Sequence, residues 1–451
     1  MKFPDNFIWG AAAASYQIEG AVHEGGRGKS VWDTFCRQSG KVLNGDTGDT
    51  ACNHYHHYRE DVRLMAEIGL KAYRLSISWP RVLPEGSGRI NETGLAFYDR
   101  LIDALLEHDI TPWVTLFHWD YPVELSNRGG WLNRDSADWF ADYTQVVVAR
   151  LSDRVRHWMT INEPQCFIDL GHRVGEHAPG LKLGLEDLLL AAHHSLLAHG
   201  KAVQVIRVQA KITPTIGAAP VGVVKMPLSD HPEEVAFARD AMFSVTSKDC
   251  WNNTWFSDPM IFGRYPEDGL ELMGKELPEI KEGDMQTIAQ PLDFYGVNIY
   301  HGQYVQPGDN RQTKSASVPI GPPLTTMGWQ VTPEALYWGP RFLYERYNLP
   351  IVVTENGMAN TDWIQVDGKV RDPQRVDYLQ RYLGQLKRAI DDGVEAKGYF
   401  YWSVMDNYEW ALGYMQRFGL VHVDYATEKR TPKESAWWYR ELIRNNGETL
   451  A

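Results

Sequence analysis

Eight short apolar runs, rich in β-branched and aromatic residues, alternate along the chain with longer amphipathic stretches. The runs cover residues 7–16, 72–78, 112–118, 155–162, 216–224, 294–300, 351–355 and 398–404. Helical periodicity marks residues 61–68, 95–107, 137–151, 188–208, 333–347, 374–391 and 433–445. Strands that alternate with helices in this way favour parallel βαβ units. The pattern predicts an α/β fold built as a single (β/α)8 TIM barrel.

The 451 residues contain no Ser/Gly linker and no abrupt change of composition. Length alone would allow two or three domains, but the uninterrupted pattern predicts one domain over residues 1–451. Residues 307–327 are rich in Gly, Pro and Ser. We interpret this stretch as a long loop over the active face of the barrel rather than as a linker.

Charge and cysteine content narrow the possible partners and compartments. The net charge of −13 leaves no basic surplus to neutralise phosphates, which argues against a nucleic-acid partner. Four cysteines without CxxC spacing predict reduced thiols. No apolar run reaches the roughly 18 residues of a membrane span, and the N-terminus lacks the apolar segment of a signal peptide. We therefore expect a cytoplasmic protein without a membrane partner; the oligomeric state stays open.

Two short patterns suggest a phosphate or a metal, but neither is complete. Residues 26–30 (GRGKS) resemble part of a phosphate-binding loop, which would require a glycine where His23 stands. His54, His56 and His57 could ligate a metal, yet no matched set of further ligands follows them. We predict no cofactor and no metal site.

Two glutamates stand where apolar runs end. Glu355 closes the run IVVTE before an Asn-Gly turn, and Glu163 closes the run VRHWMTINE. A charge is costly at the end of a buried strand unless it is used there. A single such glutamate could cap a loop or pair with an arginine. Two of the same design predict the carboxylate pair of a glycoside hydrolase.

Other predicted strand ends also carry side chains suited to a sugar. In a TIM barrel, functional residues lie at the C-terminal ends of the strands. The polar and aromatic residues at these ends are Ser15, Tyr16, Gln17, Arg74, Trp79, His118, Trp119, Asn162, Asn298, Tyr300, Trp402, Glu409 and Trp410. The composition agrees, because 17 Trp and 22 Tyr provide many aromatic faces for stacking on sugar rings.

Ordered motifs along almost the whole chain resemble glycoside hydrolase family 1, the β-glucosidase family. The signature pair is TINEP at 160–164 with VTENG at 353–357. Further matches are FIWG at 7–10, SYQIEG at 15–20, YRLSISW at 73–79, LFHWD at 116–120, YWS at 401–403 and DNYEW at 406–410. The resemblance implies a TIM barrel that acts as a retaining exo-β-glycosidase on small or oligomeric β-glucosides, with β-galactosides and β-fucosides as side substrates.

The resemblance also implies a role for each matched residue. Glu355 would be the nucleophile and Glu163 the acid/base, with their carboxyl groups about 5–5.5 Å apart. Arg74 and Tyr300 would position the nucleophile, and Trp329 would be a platform for the aglycone. The other substrate contacts implied are Gln17, His118, Trp119, Asn162, Asn298, Tyr300, Trp402, Glu409, Trp410 and Phe418.

Departures from the family pattern concern the aglycone side. Gln165 and Cys166 follow the Asn-Glu-Pro motif where many members have Trp, which predicts a smaller and more polar wall. Val221 is the nearest counterpart of an Asn often present after strand 5. The alternatives are a transglycosidase, a phospho-β-glycosidase of the same family and a non-catalytic sugar-binding barrel. Glu409, where the phospho-β-glycosidases have Ser, argues against the second, and two intact glutamates argue against the third.

Overall fold

The computed structural model describes residues 2–308, 313–316 and 320–450. Its strands are β1 Ile8–Ala12, β2 Ala72–Ser76, β3 Thr111–Phe117, β4 His157–Asn162, β5 Thr215–Ala219, β6 Val224–Met226, β7 Tyr295–Asn298, β8 Gly302–Pro307, β9 Thr313–Ser315, β10 Ile351–Asn356, β11 Ala396–Trp402, β12 Val421–Asp424 and β13 Lys429–Pro432. Eight of them form one parallel sheet in the order β5-β4-β3-β2-β1-β11-β10-β7. The predicted (β/α)8 barrel is thereby confirmed.

Backbone hydrogen bonds bring the two edges of this sheet together. The amide of Asp293 donates to the carbonyl of Ile216 (2.8 Å), and the amide of Asn298 donates to the carbonyl of Pro220 (3.0 Å). On the far side of the barrel, β1 pairs in register with both β2 and β11. The first and last barrel strands are therefore neighbours, and the sheet is nearly closed.

Helices follow the barrel strands and lie between them. They are α1 Ser15–Ile18, α2 Val31–Phe35, α3 His54–Ile68, α4 Trp79–Val82, α5 Glu92–Glu107, α6 Val123–Ser126, α7 Ser136–Leu151, α8 Leu185–Gln209, α9 Pro232–Phe243, α10 Thr254–Phe262, α11 Glu267–Met273, α12 Asp284–Ile288, α13 Ala335–Tyr347, α14 Pro373–Asp391 and α15 Glu434–Arg444. A π-helical segment, Cys166–Val174, follows β4. None of the helices in the described ranges is long and apolar enough to cross a bilayer.

Large side chains fill the interior of the barrel. Trp113, Phe294 and Phe400 are buried there in one cluster. Glycines on neighbouring strands make room for them: a Cβ at Gly10 would lie 2.5 Å from the Phe400 ring, and one at Gly217 would lie 2.5 Å from the Phe294 ring. The interior is a packed core, and this leaves the strand ends as the place for a cavity.

Three predicted boundaries differ from the structure by four residues or more. The first run stops being a strand at Ala12, and residues 15–18 turn into α1. Strand β5 ends at Ala219 because Pro220 has no N–H for the ladder; residues 224–226 instead pair with β8 in a separate sheet. Helix α3 begins at His54, seven residues earlier than predicted.

The histidines considered as metal ligands have separate partners. His54 Nδ1 lies 2.7 Å from Asp61, His56 Nε2 lies 3.0 Å from Glu24, and His57 Nε2 lies 2.8 Å from Glu428. Each imidazole pairs with its own carboxylate, and these contacts account for the three side chains without a shared ion.

The sequence predicts a loop over the active face at residues 307–327. The structure describes this stretch except for residues 309–312 and 317–319. Its described part contains β9, which pairs antiparallel with β8. Ser315, Ala316 and residues 321–323 line the large cavity at the barrel's C-terminal end. This described portion therefore lies over that end, as the sequence predicted.

Candidate active site

A cavity of about 1620 Å³ lies at the C-terminal ends of the barrel strands. Its volume exceeds that of a site for a single small molecule, so there is room for a sugar and an aglycone. The predicted site residues that line it are His118, Trp119, Glu163, Asn298, Tyr300, Trp329, Glu355, Trp402, Glu409, Trp410 and Phe418. The other three, Gln17, Arg74 and Asn162, are buried behind this wall and bind residues that form it.

Irregular strand ends set the directions in which the side chains of the two glutamates point. The register of β4 against β5 shifts before Asn162, and the register of β10 against β7 shifts before Glu355. Such bulges bend a strand and re-aim its side chains. Glu163 then adopts a left-handed backbone with φ 44°, and its amide donates to the carbonyl of Ala219 (2.8 Å). The backbone itself thus presents both carboxyl groups to the cavity.

Both oxygens of Glu355 accept hydrogen bonds that favour its ionised form. Arg74 Nη1 donates to Oε1 (2.5 Å), and the Tyr300 hydroxyl donates to Oε2 (2.7 Å). Burial raises the pKa of Glu355, while the Arg74 charge and the Tyr300 bond act against that rise. The carboxylate therefore has a buried cation and a donor that hold its charge.

No arginine or lysine of the described residues forms an ion pair with Glu163. Asn298 Nδ2 donates to its Oε1 (2.9 Å), and Cys166 Sγ donates to its Oε2 (3.2 Å). Burial, followed by the negative charge of Glu355, raises the pKa of Glu163 to about 8. These surroundings favour the protonated form of Glu163 over that of Glu355, whose charge is opposed by burial but held by Arg74 and Tyr300.

Asn162 connects the surroundings of the two carboxyl groups. Its Oδ1 accepts from Arg74 Nη2 (2.6 Å) and from Asn298 Nδ2 (3.0 Å). Its Nδ2 donates to His118 Nε2 (3.1 Å). Burial, followed by the Arg74 charge, lowers the pKa of His118 well below its usual range. His118 is therefore neutral, which keeps Nε2 available as the acceptor that orients Asn162.

A third carboxyl group, Glu409, lies in the cavity wall with Gln17 behind it. Gln17 Nε2 donates to Glu409 Oε2 (3.3 Å) and to Asn407 Oδ1 (3.0 Å). Gln17 Oε1 is buried and has no hydrogen-bond partner among the described residues. Burial, followed by the charges of Glu355 and Glu163, raises the pKa of Glu409 to about 8. Together these groups offer acceptors and donors for hydroxyl groups.

Aromatic rings form the rest of one wall. His118 stacks on Trp402 with centroids 5.7 Å apart and an interplanar angle of 19°. Trp119 and Trp410 pack at 4.6 Å. The indole N–H of Trp119 donates to the carbonyl of Asn162 (3.0 Å), so this tryptophan is held by the strand that carries the acid/base candidate. Flat apolar faces of this kind suit the C–H faces of a sugar ring.

A second aromatic group lies beside Glu355. Tyr300 and Trp329 are 5.1 Å apart, and Phe418 lies about equally far from both, at 6.0 and 6.1 Å. These residues come from the segments after β7, before α13 and after β11. The site thus combines side chains from distant parts of the chain, as the predicted barrel requires.

Several functional contacts were not predicted from the sequence. Thr354 Oγ1 donates to Asn298 Oδ1 (2.6 Å) and so turns the Asn298 amide nitrogen toward Glu163. Arg74 Nε donates to Thr115 Oγ1 (3.2 Å). Thr354 lies inside a matched motif and could have been singled out. Thr115 is an ordinary strand residue, and the sequence holds no signal for its role.

Three residues depart from the family pattern on the aglycone side, and only two of them lie in the cavity wall. Cys166 and Val221 line the cavity, as expected of wall residues. Gln165 does not line it: this side chain is fully buried, accepts from the Val221 amide (3.1 Å) and donates to the Asn252 carbonyl (3.2 Å). Gln165 therefore supports the wall from behind instead of forming it. In the described part of the chain, no three His, Cys, Asp or Glu side chains are grouped so as to hold a metal ion.

Comparisons with known proteins agree with this geometry. The profile of glycosyl hydrolase family 1 matches residues 1–448. The chain is 46% identical to a 1,4-beta-D-glucan glucohydrolase of Thermotoga neapolitana, over 99% of both chains. It is 42% identical to a bifunctional beta-D-glucosidase/beta-D-fucosidase of Bifidobacterium breve, again over 99% of both. A solved beta-glucosidase from Thermotoga maritima in complex with glucoimidazole superposes with a TM-score of 0.91 at 45% identity, covering 99% of each chain. The chain belongs to glycosyl hydrolase family 1.

Proposed function

We propose that this protein is a retaining exo-acting β-glucosidase, with Glu355 as nucleophile and Glu163 as acid/base. One observation carries the assignment of roles: two strand-end glutamates share a cavity, and only Glu355 is bound to a buried arginine. Retaining glycosidases need one ionised and one protonated carboxyl group at the sugar. The two surroundings favour this division.

In the first step, Glu355 attacks the anomeric carbon from one face of the sugar while Glu163 gives its proton to the leaving oxygen. The bond between the anomeric carbon and that oxygen breaks, and a covalent glycosyl-enzyme forms. Tyr300 and Arg74 hold the attacking carboxylate in place. Loss of the Glu355 charge on bond formation also removes the repulsion that kept Glu163 protonated.

In the second step, Glu163 acts as a base and takes a proton from water. The water oxygen attacks the anomeric carbon and displaces Glu355, so the sugar leaves with its original configuration. An alcohol in place of water would give transglycosylation from the same intermediate. A relative is named as a glucohydrolase, and we propose hydrolysis as the main activity and transfer as a side reaction.

The preference for a terminal glucosyl unit rests on Glu409 and Gln17. Their oxygens lie in or behind the cavity wall and suit the hydroxyl groups of a neutral sugar. Two relatives carry names that include glucan glucohydrolase and fucosidase activities. We therefore propose β-glucosides, including cello-oligosaccharides and aryl glucosides, as substrates, with β-fucosides and β-galactosides as secondary ones.

Four buried free cysteines favour action in a reducing compartment, and we propose the cytoplasm.

The test is hydrolysis of an aryl β-glucoside followed by proton NMR. The expected first product is β-glucose, which then mutarotates. In Glu355→Gly, turnover should be lost and azide should restore it while giving the α-glycosyl azide, because the anion attacks from the vacated face. In Glu163→Ala, azide should give the β-glycosyl azide. Swapped products would reverse the two roles, and an inactive wild-type enzyme would refute the proposal.

A further inference from the structure

Cys166 contacts the carboxyl group that the proposed reaction needs as its acid. Its Sγ donates to Glu163 Oε2 at 3.2 Å, and both residues line the cavity. The contact joins positions three apart at the start of the π-helical segment, where the Cys166 amide donates to the Glu163 carbonyl (2.9 Å). The thiol is therefore held against the carboxyl group by the local backbone.

The other oxygen of Glu163, Oε1, lies next to the amide nitrogen of Asn298, which can only donate a hydrogen bond. Asn298 Oδ1 accepts from Thr354, so its Nδ2 points the other way. That nitrogen donates to both Asn162 Oδ1 (3.0 Å) and Glu163 Oε1 (2.9 Å), which uses both of its hydrogens. The carbonyl oxygen of a carboxylic acid accepts an N–H better than its hydroxyl oxygen does, so this bond favours Oε1 as the carbonyl oxygen. The proton of neutral Glu163 is then favoured on Oε2, next to Cys166.

A thiol suits this place because it donates to a carboxylate and also weakly accepts from a carboxylic acid. We propose that Cys166 is a positioning residue of the reaction, an inference that rests on the proposed function. Its thiol accepts weakly from the acid proton on Glu163 Oε2, and it donates to the carboxylate that remains once the proton has left for the leaving oxygen.

The thiol does not itself give up a proton. Burial, followed by the charge of Glu163, raises the pKa of the Cys166 thiol well above its usual range, so it remains S–H throughout. The thiol lowers the pKa of Glu163, because its bond to the carboxylate outweighs its weak acceptance from the acid. A donor to the carboxylate favours the ionised form, so loss of the donor should raise the pKa of Glu163, and a stronger donor should lower it.

The experiment compares the pH dependence of kcat/KM for Cys166→Ala and Cys166→Ser on an alkyl β-glucoside. In Cys166→Ala, we expect the basic limb to move up by about 0.5 pH unit, a roughly three-fold change in the ionisation constant. In Cys166→Ser, the hydroxyl is the stronger donor, and the limb should move down by a similar amount. The acidic limb, which reports Glu355, should stay in place in both variants.

Leaving-group dependence gives a second measurement. Cys166→Ala should lower kcat/KM for the alkyl glucoside by roughly three- to ten-fold, because that leaving group depends on the acid. The value for a dinitrophenyl glucoside, which departs without protonation, should remain within about two-fold of the wild type. A purely structural loss would reduce both substrates alike.

Cys36→Ser is the matched control. Cys36 is buried, lies outside the cavity wall, and donates to the carbonyl of Asp33 (3.6 Å), a bond that serine can also make. Its pH profile should equal that of the wild type. If both Cys166 variants keep the wild-type limb, or move it in the same direction, the inference is wrong. A wild-type enzyme that does not cleave β-glucosides would instead overturn the proposed function.

Discussion

Glu163 and Glu355 are the same residue type at the ends of parallel strands, yet their oxygens have different neighbours. Glu355 binds an arginine and a tyrosine hydroxyl, and Glu163 binds an amide and a thiol. Both side chains are almost fully buried, so solvent hardly screens the electrostatic effect of these neighbours on the two carboxyl groups. We attribute the proposed division of labour between these two residues chiefly to one buried guanidinium, Arg74.

The first residue-scale prediction concerns this electrostatic coupling. The kcat/KM profile should be bell-shaped, with Glu355 ionising on the acidic limb and Glu163 losing its proton on the basic limb near pH 8. In Glu355→Gln the neighbouring negative charge is absent, so the pKa of Glu163 should fall. Carbon-13 NMR titration of the Glu163 carboxyl group measures this directly, and an unmoved pKa would exclude the coupling.

Tyr300→Phe provides a contrast at the other carboxyl group. The Tyr300 hydroxyl donates to ionised Glu355, and Phe removes that donor while keeping the ring. The pKa of Glu355 should then rise, and the acidic limb should move to higher pH while the basic limb stays. An acidic limb that does not move, or moves down, would show that Tyr300 does not stabilise the charge of Glu355.

The second residue-scale prediction concerns phosphorylated sugars. A 6-phosphate would add negative charge to a cavity that already holds Glu163, Glu355 and Glu409. Two like charges about 4 Å apart repel by roughly 4 kcal/mol at an effective dielectric near 20. Arg417 does not offset this, because it binds Asp406 (2.6 Å) and the Val423 carbonyl (3.0 Å).

We therefore expect kcat/KM for an aryl β-glucoside to exceed that for its 6-phosphate by at least about 100-fold at a pH where Glu409 is ionised. The preference should grow between pH 7 and 9, because the pKa of Glu409 is about 8 and its charge appears in that range. Glu409→Ser should weaken glucoside binding without creating an efficient phosphoglucosidase, since no cation is added. Comparable values for the two substrates would contradict the role proposed for Glu409.

Some of these side chains could be assigned a role from the sequence, and others could not. Glu163, Glu355 and Arg74 stand in dense motifs at strand ends, and periodicity with the family resemblance was enough to single them out. The bond between Cys166 and Glu163 depends on a left-handed backbone at Glu163 and a π-helical turn after it. Neither feature follows from residue types, because φ 44° is unusual for a non-glycine residue.

At the scale of elements, apolar runs located every barrel strand but not where each one ends. Strand β5 was predicted to reach residue 224, yet Pro220 interrupts the ladder after Ala219. The start of helix α3 was predicted seven residues too far along the chain. Its first two turns are rich in His and Tyr and show weak amphipathic spacing. Hydrophobic periodicity reports the buried face of an element, and its termini depend on hydrogen bonds made elsewhere.

The element-scale prediction concerns the loops that carry Glu409 and Phe418. Lys433, at the start of α15, is fully buried and donates to Asp362 (2.5 Å) and Asp406 (2.6 Å). Asp406 Oδ1 also accepts from the amide of Gly419 (2.9 Å). One buried ammonium group thus ties the segments after β10 and β11 to a helix of the outer ring.

Lys433→Ala would leave Asp362 and Asp406 each with one arginine partner, and we expect the free energy of unfolding to fall by about 1.5–3 kcal/mol. KM should also rise, because the Glu409 segment loses its anchor. Arg381→Ala is the control: its ion pair with Asp377 is exposed, so the loss should stay within about 0.5 kcal/mol. Equal stability of the two variants in urea unfolding would show that the buried cluster does not anchor these loops.

At the scale of the whole molecule, the first strand and the segment after the last long helix contact each other. Strand β1 pairs with β11, and Asn446 beyond α15 binds the N-terminal segment through its side chain. Its Oδ1 accepts from Trp9 Nε1 (2.9 Å), and its Nδ2 donates to the carbonyl of Phe3 (2.8 Å). Barrel closure therefore makes the first and last elements depend on each other, which supports the proposal of one domain.

We expect heat unfolding to be a single transition in which tryptophan fluorescence and residual activity change together. Asn446→Gly removes both side-chain bonds but keeps the left-handed backbone at this position (φ 51°), which glycine adopts readily. It should lower the Tm by about 1 to 3 °C for both probes alike, because partly buried side-chain bonds contribute to the stability of the whole barrel. Arg444→Ala, at an exposed ion pair with Glu441, should leave the Tm unchanged. If Asn446→Gly instead produced a second, earlier transition in fluorescence alone, the terminal elements would unfold separately from the barrel, and the single-domain proposal would fail.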